Sequence, residues 1–94
     1  MVKDIGKRRF RLRLYIAGPG PHANRAKQNL AAAAAAADFA YDLEVVNVHA
    51  DPERAMADRV VVTPTLLKLT PLPRAMVIGD LSDPDKIVMA LGQL

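Results

Sequence analysis

No cysteine occurs among the 94 residues. That one absence excludes disulfides, thiolate nucleophiles, cysteine-based zinc sites and thiol redox chemistry together. Histidine occurs only at His22 and His49, on separate loops and without ligand spacing, so no metal site is expected. Aromatics are few, and only Phe10 and Tyr15 fall within the basic stretch near the start. No apolar run approaches the roughly 20 residues of a membrane span, and the charged start leads into no signal-peptide core. A cytoplasmic protein without a membrane partner is expected. Neither a Ser-His-Asp arrangement nor a phosphate-cradling Gly-x-x-x-x-Gly-Lys is found. Asp51, Asp80, Asp83 and Asp85 form no catalytic pair, because Asp51 and Asp83 each precede a proline in the manner of helix N-caps. The chain therefore reads as non-enzymatic and without a cofactor.

What is present fits one small domain with little margin in stability. Much of the apolar content is alanine, so the core must rest on a limited set of Leu, Ile, Val, Met and Phe, each worth about 1.5–3 kcal/mol when fully buried. The net charge is +3, and Lys3, Lys7, Arg8, Arg9, Arg11 and Arg13 crowd the first strand and the tail before it. Such a cluster can be a nucleic-acid arm. With so little aromatic interleaving, a solubilising tail over residues 1–9 and the solvated or edge face of a strand is the better reading, and no nucleic-acid partner is expected. Residues 10–94 then form the folded domain.

Along that domain, Phe10, Leu12, Leu14 and Ile16 alternate with Arg11, Arg13, Tyr15 and Ala17, the period of a strand over residues 10–17. Gly18-Pro19-Gly20-Pro21 breaks it. An alanine-rich helix follows to about residue 39, its run from Ala31 to Ala37 allowing close approach to a sheet. Residues 43–48 form a short, nearly continuous apolar strand, as where both faces are covered. A strand, a helix and a strand in succession imply a right-handed crossover with parallel strands. Asp51-Pro52 starts a short helix to about residue 59. Strands are expected at residues 65–69 and 74–78 around the turn Pro71-Leu72-Pro73, antiparallel because the connection is so short. Asp83-Pro84 starts a last helix with Ile87, Val88, Leu91 and Leu94 at helical spacing.

The order βαβαββα is the thioredoxin-like α/β arrangement, with a mixed four-stranded sheet. Its centre is the stretch of residues 60–73. Proline gives no N–H to a strand ladder, so Pro64 must stand at a strand entrance, an edge or a turn. In that fold a proline just before the third strand, typically cis, faces the loop where redox members carry Cys-x-x-Cys. Here that loop is Gly18-Pro19-Gly20-Pro21-His22.

A family resemblance enters with particular residues: Leu14-Tyr15-Ile16-Ala17-Gly18, Pro21, Arg25, Glu44-Val45-Val46-Asn47-Val48, Asp51-Pro52, Asp58-Arg59, Thr63-Pro64-Thr65-Leu66, Lys68 and Ile78-Gly79-Asp80-Leu81-Ser82. Over roughly residues 10–92 the chain resembles the KaiB circadian-clock family. The resemblance implies a regulatory protein that binds a KaiC-type hexameric ATPase and modulates its phosphorylation cycle. It implies Arg25, Arg59 and Lys68 as basic contacts toward that partner, and Pro64, Gly79 and Asp80 as residues of conformational control. It also implies two arrangements of the chain. One is a homo-oligomeric resting fold, dimer or tetramer, with a rearranged C-terminal half; the other is a thioredoxin-like binding form. The last segment is compatible with both, since its helical spacing coexists with a β-branched apolar run. The chain departs from the family in its first loop, in its alanine run and in the single Arg74 after the proline turn. Those departures keep open an adaptor module for a sensor kinase or a stress-response partner.

Overall fold

Strand, helix, strand, helix, strand, strand, helix is the order in the computed structural model, which describes residues 8–92. The elements are β1 (Arg8–Ile16), α1 (Pro21–Ala37), β2 (Phe39–Asn47), α2 (Pro52–Ala57), β3 (Thr65–Thr70), β4 (Ala75–Ile78) and α3 (Pro84–Leu91). The sheet order is β2-β1-β3-β4, with β1 parallel to β2 and the other two pairings antiparallel. This is the thioredoxin-like arrangement with its mixed four-stranded sheet. The last segment is a helix here, started by Asp83, whose side chain accepts a bond from the Asp85 N–H at 3.0 Å.

The two faces of the sheet are built differently. Phe10, Leu12, Leu14 and Ile16 of β1 point to the face covered by α1 and α3, where they meet Leu30, Leu66, Ile87 and Leu91 in the main core. α1 contributes mainly small side chains, Ala23, Ala26, Ala33 and Ala34 around Leu30, which lets the helix lie close to the strands. On the other face Tyr15, Val46 and Ala55 form a small second cluster beneath α2.

Several boundaries differ from the expectation, each for a physical reason. α1 stops at Ala37 because Asp38 takes the left-handed conformation at φ 57°, its N–H bonding to the Ala34 carbonyl. Phe39 thus opens β2 and packs edge-on against Phe10, ring centroids 5.5 Å apart. β2 is consequently longer than expected, and it lies at a sheet edge with only Phe39 and Val46 buried. β1, like β3, is paired on both sides, and its polar face is no simple solvated surface, since Tyr15 is fully buried. Strand β1 begins at Arg8, so Arg8 and Arg9 of the expected tail pair with Phe39 and Ala40, while residues 1–7 lie outside the described residues. Asp51 stands at the N-cap position of α2 without a side-chain cap bond; its carboxylate lies 3.9 Å from Arg54.

Candidate functional site

Pro64 enters β3 through a cis peptide bond from Thr63, and the loop after β1 faces it. Ile16 to Ala23, Thr63 and Pro64 line a cleft of about 190 Å³ between them. Both walls are held by hydrogen bonds to the backbone. Gly18, at φ 77°, donates its N–H to the Asn47 side-chain oxygen at 3.1 Å, and the same oxygen takes the His49 N–H at 2.9 Å. Asn47 therefore ties the loop after β1 to the loop after β2. On the other wall the Pro64 carbonyl accepts the Gly79 N–H at 2.9 Å, and the Thr65 hydroxyl donates to the Val62 carbonyl at 2.7 Å.

The cleft is lined mostly by glycine, proline and apolar side chains. Among the described residues its one titratable lining side chain is His22, which is exposed. Among the described residues no group of three or more His, Asp or Glu side chains is placed to hold a metal ion.

The three basic residues expected to face a partner do not share a surface. Arg25, on α1, is half exposed and lies 3.6 Å from the Asp80 carboxylate. Arg59 follows α2, on the opposite face of the sheet, with an exposed side chain and a left-handed backbone at φ 59° whose N–H bonds to the Met56 carbonyl. Lys68 is 5 % exposed. Its ammonium donates to the Leu91 carbonyl at 3.4 Å, at the negative end of the α3 dipole. The surface charge suggested by the sequence is here a buried cation of β3 whose ammonium lies at the end of α3.

The residues expected to govern conformation do gather. Gly79 takes φ 111°, a region costly for any side chain. Asp80 accepts the Ser82 N–H at 3.1 Å, and its own carbonyl takes the Asn29 amide at 2.8 Å. Hydrogen bonding from Ser82, helped by Arg25, holds the Asp80 carboxyl below its ordinary pKa. The loop after β4 is thereby latched to α1. Leu81 in that loop is a bulky residue at φ 64°, held there because its side chain fills the main core.

A second polar centre was not singled out from the sequence. Asp58, at the end of α2, accepts from the Tyr15 hydroxyl, from Arg13 at 2.8 Å and from Arg74 at 3.5 Å. Burial pushes its carboxyl up, but the bonds from Tyr15 and Arg13 outweigh that and hold it below the usual range. Burial also raises the Tyr15 phenol, and the neighbouring Asp58 adds to the shift. Glu44 bridges Arg54 and Arg13, whose hydrogen bonds bring it down to about 2. Farther along β1, Arg9 pairs with Asp42 at 2.8 Å. The signal was present: arginines alternate on β1 and carboxylates alternate on β2, in one parallel register. Arg9 and Arg13 of the basic cluster are thus paired within the sheet.

Comparison with known proteins settles the family. Residues 13–93 match the KaiB domain. The chain belongs to the KaiB family. It is 38% identical over 90 residues to the circadian clock oscillator protein KaiB of Synechococcus elongatus, covering 94% of this chain and 87% of that protein. With the same-named protein of a Picosynechococcus species the identity is 39% over 93 residues, covering 97% and 88%. Among solved structures the N-terminal domain of Synechococcus elongatus SasA superposes with a TM-score of 0.75 at 29% identity, over 93% of this chain and 87% of that one. Mitochondrial thioredoxin 3 of Saccharomyces cerevisiae gives 0.68 at 15% identity, over 96% and 83%, which shows the fold alone. The KaiB-family chain thus has a thioredoxin-like frame whose facing loop has no cysteine.

Proposed function

We propose that this KaiB-family chain is a non-enzymatic regulatory protein that docks on a KaiC-type hexameric ATPase and modulates its phosphorylation and ATPase cycle. The observation that carries the reading is the KaiB match over residues 13–93 on a thioredoxin-like frame whose facing loop carries no cysteine. Arg25 and Arg59 are exposed on opposite faces of the sheet, so each serves a separate contact with the partner, where fixed charges speed association and set register more than they add affinity. Lys68 takes part in docking only where α3 has moved away; with α3 seated, it serves the fold. Pro64, Gly79 and Asp80 govern the conformation of the C-terminal half, and a homo-oligomeric resting arrangement of that half belongs to the same proposal.

The test is co-elution with a purified KaiC-type hexamer across nucleotide conditions. A complex is expected, weakened by Arg59→Ala and altered by substitution of Pro64 or Gly79. No complex under any nucleotide condition refutes the proposal. A second reading, a thioredoxin-like adaptor for a sensor kinase or stress-response protein, is supported by the superposition on a domain that is itself the N-terminal part of another protein. Partners recovered by pull-down separate the two.

A further inference from the structure

The two edges of the sheet are guarded differently. Natural sheets protect an exposed edge with charge, proline or bulges, because its unpaired N–H and C=O groups will pair with any strand that arrives. β2 carries Asp42 and Glu44, both ion-paired to arginines of β1. β4 reads Ala-Met-Val-Ile, with no charge, proline or glycine, and among the described residues no strand lies beyond it. Its flanks are exposed as well: Met76 is 38 % exposed, Ile78 61 %, and Met89 of the neighbouring α3 80 %. These side chains, with Val77, Ala90 and Lys86, line one open groove of about 400 Å³ beside the edge. Lys86 is its only charged lining residue, exposed and without an ion-pair partner among the described residues.

The geometry points to the β4 edge as a strand-docking site for an extended, acidic segment of a partner protein. Such a segment adds a strand to β4 through backbone hydrogen bonds. Its alternate side chains meet Met76 and Ile78 on one face, and a carboxylate meets Lys86 on the other. Two flexible methionines suit a contact that adapts to its ligand. A second copy of this chain is the poorer occupant, since it would bring another net +3 to the interface. The short strand, Ala75–Ile78, limits the contact to a weak and reversible one. This deepens the docking reading above and rests on it for the partner's identity.

The test has two arms. In the first, a short blocked peptide alternating valine and threonine around a central glutamate is titrated into isotope-labelled full chain and followed by NMR. Shifts are expected at β4 and around Lys86 and Met89, with binding about twofold to fivefold weaker when the central residue is lysine or when Lys86→Glu is introduced. Ile78→Asp, at an exposed position that leaves the fold intact, weakens it about tenfold or more. Absent shifts, shifts confined to other elements, or indifference to peptide charge overturn the inference. So does sedimentation showing that the chain self-associates through β4. In the second arm, hydrogen exchange is measured with the KaiC-type hexamer. A complex that leaves β4 exchange unchanged and binds I78D normally overturns the edge site while the docking function stands. Peptide binding at β4 without any hexamer complex leaves the edge site standing and refutes the choice of partner.

Discussion

Replacing Asp58 by alanine should destabilise the chain by about 2–3 kcal/mol. The figure follows from what Asp58 holds. Its side chain is 10 % exposed and accepts three donors, two of them guanidinium groups. A hydrogen bond to a charged partner is worth about 1.5–3 kcal/mol and a neutral one about 1, while the half-exposed Arg74 adds little. The loss stays below the sum because Arg13 keeps Glu44 and the Tyr15 hydroxyl keeps the Arg54 carbonyl. Against a total of about 5–14 kcal/mol for a chain of this length, the midpoint of thermal unfolding should fall by roughly 10–20 °C. The pH dependence gives a second readout. Asp58 has a lower pKa folded than unfolded, so the folded state binds fewer protons. Its contribution is complete above the ordinary carboxyl pKa of about 4 and disappears as the pH falls through the folded value. In the variant that part of the acid limb should flatten, while the part due to Glu44, which titrates near 2, remains. Circular dichroism melts of wild type and Asp58→Ala between neutral pH and strongly acidic pH measure both. A loss under about 0.5 kcal/mol together with an unchanged acid limb would show that Asp58 is an ordinary surface carboxylate.

Two further outcomes separate packing from charge and backbone from side chain. Lys68→Met keeps the buried stem and should change urea stability by less than about 1 kcal/mol, whereas Lys68→Ala should lose about 2–4 kcal/mol. Equal losses would show that the ammonium bond to Leu91, and not the stem, holds α3. Gly79→Ala meets nothing within 4 Å, so its loss of about 1–2 kcal/mol should come from backbone strain alone. An unchanged melting temperature would refute that.

The parts of the fold legible in the sequence were those written in local patterns. The alternation from Phe10 to Ile16 marked β1, and Asp83-Pro84 marked the start of α3. The end of α1 was not legible. It depends on Asp38 entering the left-handed region without a glycine, and on Phe10 rewarding Phe39 for leaving the helix. The role of Lys68 was hidden for a related reason. Nothing within β3 announces that the last carbonyls of a later helix will lie over its ammonium. Pro64 and the emptiness of the facing loop were legible because proline and cysteine act through what they forbid or permit, whatever surrounds them. The Asp58 centre needed the strand register, which joins β1 to a turn of α2 and to Arg74 at the entrance to β4.

The alanine run of α1 has a consequence for how the chain can change over time. Its residues look interchangeable, yet Ala33 and Ala34 are buried against the sheet, while Ala31, Ala32, Ala35 and Ala36 face outward. The outward positions can drift to any good helix former without loss. The inward ones, together with Ala26 and Ala23 about two and three turns earlier, set the distance between helix and strands; a larger side chain at any of them would push the whole of α1 outward. The run therefore divides into freely mutable and nearly frozen sites. A mutational scan should reveal that division as a helical stripe within an otherwise uniform tract.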